Sequence, residues 1–256
     1  MALHPEVELS WLLVHHVCKI LWFYSLSGQM FQMDLTERAA LHLARLKKLG
    51  YDVLASDDFA EIETLVQQTG KPFRSPMFDT RRNDFTEGRA FWLFLKKDGV
   101  IVGGMAAQYI PLGSENFENY VQRTSEAQYD LAAPLNFFAR PVKERLKGNL
   151  IYFGDVFLTE GARGKRSVLR EFCRLEKMLT AMTWPDFDWM FGHIPYPHRS
   201  LIDVYGFSLI THNAFHWNQP LPYSRTNDFA LIYHSKSDLL HDLALGEADD
   251  AAENKG

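Results

Sequence analysis

Apolar residues recur every three to four positions over 34–49, DLTERAALHLARLKKL, which is the period of a helix with one buried face. Asp34 or Thr36 stands where a cap belongs, Lys47 and Lys48 fall in the last turn, and Gly50 supplies a stop. Residues 51–54 predict a short strand. Ser56, Asp57 and Asp58 open a second helix to about residue 68, with Phe59, Ile62, Leu65 and Val66 on one face. The pattern then changes. FWLFLK over 91–96 and VIVGGMAAQYI over 100–110 flank Lys97-Asp98-Gly99, and Asp-Gly between two β-rich runs predicts a hairpin. Gly103 and Gly104 inside the return strand predict a bulge or a close approach by another group.

Residues 111–149 are polar with interspersed aromatics and predict a mostly helical insertion, long for a connection between strands. Its Phe117, Tyr120, Tyr129, Phe137 and Phe138 are candidates to shape a substrate cavity, or else to pad one face of a sheet. LIYFGDVFL over 150–158 is a strand, 161–167 a short basic loop, and 168–182 a helix with Val168, Phe172, Leu175, Leu179 and Met182 on one face. A strand over 189–194, a short helix over 199–204 stopped by Gly206-Phe207, and strands near 208–217 and 228–234 complete the series.

Residues 9–31 are apolar but interrupted by His15, His16 and Lys19 and preceded by Glu6 and Glu8. Acids before the run argue against a signal peptide. A lysine near the middle argues against a membrane span, which needs about 20 apolar residues. An amphipathic helix docked on the body, a partner or a membrane surface fits better. Another reading is that translation starts at Met30 or Met33. The chain thus divides into an N-terminal apolar helix or extension over 1–33, a domain over 34–245 carrying the 111–149 insertion, and an acidic tail over 246–256 expected to be disordered.

Of 256 residues, 46% are apolar and 23% charged, which excludes wholesale disorder. The net charge of −5 argues against a protein that wraps nucleic acid and favours a cationic amine over an anionic substrate. Cys18 and Cys173 cannot build a disulfide framework, so a reducing, cytoplasmic setting is expected.

Three places carry candidate chemistry. The loop Arg163-Gly164-Lys165-Arg166-Ser167 leads into a helix, whose unpaired N–H groups and positive dipole end suit a phosphate; a solvated basic turn is the alternative. Asp155 interrupts an apolar strand, either as a general base acting directly or through water, or as a partner for a cation. His193, with Tyr196 and His198, ends a strand in GHIPYPH, as a substitute acid or base or as a packed loop. No metal is expected, because no third ligand is placed by spacing; His212 and His216 fall in a strand, where residues four apart lie far from one another.

The order of elements, with LFLKKDGVIVGGMAA as central hairpin, DVFLTEGARGKRSVL as strand, loop and helix, and DVYGF as later helix end, resembles the GNAT N-acetyltransferase superfamily over roughly 51–235. The resemblance implies an α/β fold of mixed sheet, the GNAT-like acyl-CoA N-acyltransferase fold. It implies acetyl-CoA as co-substrate, its arm along Val156, Phe157 and Leu158 and its pyrophosphate at Gly164, Lys165, Arg166 and Ser167, aided by Arg163. It also implies attack by an amine on the thioester, with a small amine, an amino acid and a peptide N-terminus all open as acceptors and backbone N–H groups stabilising the oxyanion. Ile202 stands where the family has its acidic Tyr, and Tyr205 beside Gly206 is the nearest substitute. In the loop only Gly164 keeps the family's pattern. Two rivals stay open: a non-catalytic module of the same fold that binds a partner, and a membrane-associated acyltransferase for longer chains anchored by 9–31. Self-association into a homodimer is also open.

Overall fold

The computed structural model describes residues 26–71, 75–79, 81–83, 85, 88–223 and 225–243. The readings for residues 9–25 and for the tail over 246–256 lie outside the described residues.

Helix α1 (Leu26–Lys48) starts eight residues before Asp34, so neither Asp34 nor Thr36 caps it. The reason is packing. Phe31, Leu35, Ala39, His42 and Leu46 form a buried stripe that continues the helical period upstream of Asp34. Thr36 Oγ1 instead donates to the Gln32 carbonyl at 2.7 Å. Burying each large apolar side chain of the stripe contributes about 1.5–3 kcal/mol, more than a cap would. After β1 (Asp52–Ser56), helix α2 (Phe59–Gln68) starts as expected, with Asp58 accepting from the Ala60 and Glu61 N–H groups.

The hairpin β2 (Ala90–Lys97) and β3 (Val100–Pro111) turns at Asp98 and Gly99, both with positive φ. The insertion holds α3 (Phe117–Tyr129) and α4 (Arg140–Arg145), but Leu135–Phe138 between them is a strand, β4, which the sequence reading took as helix. Further on, the expected single strand over 208–217 is two, β7 (Leu209–His212) and β8 (Phe215–Trp217). Asn213, at φ +50°, turns the chain between them, a conformation that Asn tolerates better than most residues. β4 and β8 pair as a separate ribbon.

The main sheet has the order β1-β2-β3-β5-β6-β9-β7, with β5 (Asn149–Leu158), β6 (Trp189–Pro195) and β9 (Phe229–Ser235). Every pairing is antiparallel except β5 with β6. Helix α5 (Arg166–Thr183) makes the crossover between those two, and α6 (Ile202–Tyr205) ends on Gly206 at φ +62°. One face of the sheet, with Leu93, Met105, Ile151 and Met190, is covered by α1 and α5; the other, with Trp92, Phe94, Tyr152 and Phe191, by α2, α3 and the β4–β8 ribbon. Covering both faces explains why β2 reads as a continuous apolar run and not as an alternation. This is the mixed α/β architecture expected. Among the described residues no helix is long and apolar enough to cross a membrane.

Candidate functional site

β5 and β6 run side by side only from Leu150 opposite Trp189 to Phe153 opposite Gly192. Beyond that point β6 keeps its bonds to β9 and β5 keeps its bonds to β3, so the two parallel strands part. The parting coincides with a bulge. Ala106 pairs with Gly154 and Gly104 with Phe157, which leaves one extra residue on β5, and Asp155 there has φ +56°. Gly103 and Gly104 are the reason β5 can lie so close to β3. A Cβ on Gly104 would sit 2.7 Å from the Phe157 ring, and one on Gly103 2.6 Å from Leu158 Cδ2. The expected bulge and the expected close approach thus both occur at these glycines.

The opening between the strands is a cleft of about 320 Å³. Asp155, Val156, His193, His198 and Tyr205 all line it, so five residues singled out in the sequence meet there from β5, β6, the turn over 196–201 and α6, while Tyr196 lies outside it. Phe157 and Leu158 do not line it either; their side chains lie against Gly104 and Gly103. The cleft also takes Lys71, Lys177, Cys173 and Arg225, which carry no motif signal. Lys177 and Cys173 are one turn apart on α5, and periodicity gave no signal for the lysine, because it falls on the side of the helix opposite Val168, Phe172, Leu175 and Leu179.

Asp155 is ion-paired with Lys71 and accepts a hydrogen bond from the Ser75 N–H at 2.8 Å. Its carboxylate therefore ties the segment after α2 to the bulge. His193 has no hydrogen-bond partner at either ring nitrogen among the described residues. Its ring is boxed by Tyr152, Phe191, Phe215 and Phe229 at 5.4–6.0 Å between centroids. Burial, with the nearby Arg225 charge, pushes its pKa down to about 3, so the imidazole is neutral at physiological pH. Burial raises the Tyr205 hydroxyl and the Cys173 thiol, so both keep their protons. Burial lowers Lys177 to about 8, and its ammonium donates to the Gly206 carbonyl.

The basic loop lies past the end of β5. A turn over Glu160–Ala162 leads through Gly164, at φ +83°, into the first turn of α5 at Arg166. No side chain caps that helix, and Arg163, Gly164, Lys165, Arg166 and Ser167 are all exposed. The cations are held from behind. Arg163 Nε donates to the Leu158 carbonyl at 3.0 Å, Lys165 Nζ to the Tyr51 hydroxyl at 3.0 Å, and Arg166 to the Ser200 carbonyl.

Beside the cleft lies a second cavity of about 60 Å³ that shares His193, Pro195 and Arg225 with it. The insertion contributes Val121, Ser125 and Gln128 to its wall. None of the five insertion aromatics lines either space: Phe117, Tyr120 and Phe138 are in the core, Phe137 is exposed, and Tyr129 braces Arg225. Padding is thus the role of most of them. Among the described residues no group of three or more His, Cys, Asp or Glu is placed to hold a metal.

No family model and no curated protein matches the chain. Solved structures similar to it include Arabidopsis thaliana NAA60 in complex with acetyl-CoA, at 12% identity over 73% of this chain and 99% of that one, with a TM-score of 0.44. An agmatine N-acetyltransferase mutant in apo form is 11% identical over 72% and 99%, with a TM-score of 0.44. FeeM, an N-acyl amino acid synthase from uncultured soil microbes, is 11% identical over 72% and 90%, with a TM-score of 0.42. Likenesses of this degree carry no argument about chemistry.

Proposed function

We propose that this protein is an acyl-CoA-dependent N-acyltransferase. The observation that carries the reading is the parting of β5 from β6 at Phe153 and Gly192, which opens a cleft whose wall runs along β5 toward an exposed, uncapped helix N-terminus. A thioester arm takes the free edge of Val156, Phe157 and Leu158. The first-turn N–H groups of α5 and the positive end of its dipole take the pyrophosphate at 164–167, with Arg163, Lys165 and Arg166 adding charge.

The amine nitrogen attacks the thioester carbonyl carbon, the C–N bond forms, and the C–S bond breaks to release the CoA thiolate. Tyr205, kept protonated by burial, is the donor that suits the thiolate. His193, neutral and unpartnered, suits a hydrogen bond to the incoming amine more than removal of its proton. Asp155 is occupied by Lys71 and Ser75, which supports a positioning role at the bulge, with the amine proton leaving through water.

Calorimetric titration with acetyl-CoA, CoA and a longer acyl-CoA tests the reading. Micromolar binding is expected, followed by thiol release with an amine panel. No binding at millimolar concentration overturns it. Binding without turnover of any amine would make the protein a CoA-binding module instead.

A further inference from the structure

Arg225 sits at the boundary of the cleft and the smaller cavity, and lines both. It is half-buried, held by Tyr129 and Trp217, whose rings lie 5.5 and 5.6 Å from its guanidinium carbon. Its Nε donates to the Tyr129 hydroxyl. Among the described residues, the two terminal nitrogens have no acceptor and no carboxylate pairs with the guanidinium. Among the described residues the one carboxylate of the cleft wall is Asp155, which is already neutralised by Lys71. An arginine so placed, braced on two aromatic rings with its fork free, is preorganised for a planar monoanion, since the two terminal N–H groups match the two oxygens of a carboxylate. A single guanidinium among aromatic walls matches one negative charge better than the two of a phosphate.

A second observation points the same way. Both ring nitrogens of His193 are shut off from solvent and unpartnered, and this side chain also lines both spaces. A buried polar group without a partner is costly, and a ligand hydrogen bond would recover that cost. Apolar Val121, Phe215, Trp217 and Met77 line the smaller cavity beside it. A cation, a neutral hydrogen-bonding ring and a small apolar recess in one place are complementary to a small α-amino acid: carboxylate, amine and side chain.

We infer that the acceptor is a primary amine that carries a carboxylate, of the α-amino-acid kind, and that Arg225 binds the carboxylate while His193 hydrogen-bonds the amine. This rests on the acyl-transfer reading and reverses the expectation, drawn from the net charge of −5, of a cationic acceptor. The local charge of the cleft is what a substrate meets.

The test compares glycine, L-alanine, L-valine and L-methionine with their primary amides, with thiol release from acetyl-CoA as readout. The free acids are expected to exceed the amides at least about tenfold in kcat/KM, the gain of one charge-assisted bidentate contact. Arg225→Gln should abolish that difference while the affinity for acetyl-CoA, measured on the same sample, stays unchanged and reports an intact fold; Arg225→Lys should restore part of it. Equal use of acids and amides, or equal slowing of both by Arg225→Gln, overturns the inference. Saturation-transfer NMR with N-acetylvaline and N-acetylvalinamide separates this from the parent reading. Binding of the acid alone, lost in Arg225→Gln, upholds the carboxylate site even if acetyl-CoA does not bind. Equal binding of both, or of neither, overturns the site.

Discussion

Lys71 and Asp155 form an ion pair with side chains only 9% and 3% exposed, at the point where β5 bends away from β6. Lys71 Nζ also donates to the Asp155 backbone carbonyl at 3.1 Å. The pair joins the segment after α2 to the bulge, so the position of that segment and the shape of the cleft depend on each other. Removing one partner strands the other charge. Asp155→Ala should cost about 3–5 kcal/mol in urea unfolding. Asp155→Asn should cost less, because Asn tolerates the left-handed backbone and can still accept from the Ser75 N–H. Adding Lys71→Met to Asp155→Asn should recover much of the loss; an additive double variant would show that the two residues are not coupled.

Ser167 lies in the exposed first turn of α5. Ser167→Glu places a carboxylate where the helix dipole favours it, by about 0.3–1 kcal/mol. The thermal midpoint should therefore hold or rise. The same carboxylate repels a pyrophosphate, so acetyl-CoA affinity should fall about tenfold, or about 1.4 kcal/mol. Unchanged affinity by calorimetry would remove the phosphate site from this loop.

His193 has a folded pKa pushed down to about 3, below the 6.5 of the free side chain. Below pH 6.5 the unfolded chain therefore binds a proton that the folded one does not. Stability from this group is complete above that value and declines as pH falls toward about 3. His193→Phe should flatten this acid limb. The check is the urea midpoint at pH 7 and pH 5: the difference between the two should be smaller in the variant.

Glu176 on α5 is fully buried, with neither carboxyl oxygen hydrogen-bonded among the described residues, and burial holds its pKa well above the ordinary 4.5. The folded state thus keeps a proton that the unfolded chain releases as pH rises past 4.5, and stability drains in that direction. Glu176→Met should stabilise by roughly 1–3 kcal/mol. The gain should be larger at pH 7 than at pH 4.5. A destabilised variant at neutral pH would show that the carboxyl serves an interaction outside the described residues.

Truncation separates the first helix from what precedes it. The comparison is between a chain lacking 1–25 and one lacking 1–32. Deleting 1–32 removes Phe31 and Gln32, 9% and 4% exposed, from the α1 stripe, and should lower the midpoint measurably. Equal midpoints would place Phe31 outside the cooperative core.

Periodicity located the strands of the main sheet as apolar runs beside turn residues, except that it ran the edge strand β7 together with β8 of the ribbon. Its failures are specific. Asp34 looked like a cap because it precedes a regular stripe, yet Phe31 extends that stripe backward, and burial outweighs a cap. Leu135–Phe138 reads as a fragment of helix in isolation; its strand state comes from pairing with Phe215–Trp217, almost eighty residues on. Val156 and Tyr205 came only with the family resemblance, but Asp155, His193 and His198 were legible as polar residues in or just after apolar strands. Arg225, Lys71 and Lys177 were not, for they lie far apart along the chain and become neighbours only when the parted strands create a space for them to face.

The turn at Asn213 has one further effect. A stretch of nine residues stitches the edge of the main sheet to the small ribbon, because β7 bonds to β9 and, two residues later, β8 bonds to β4 of the insertion. Ala139 N–H also donates to the Ala214 carbonyl at the seam. The insertion is thereby sewn down at its middle. It cannot swing as a free flap without breaking the β4–β8 pairing or dragging β8 and the edge strand β7 along with it.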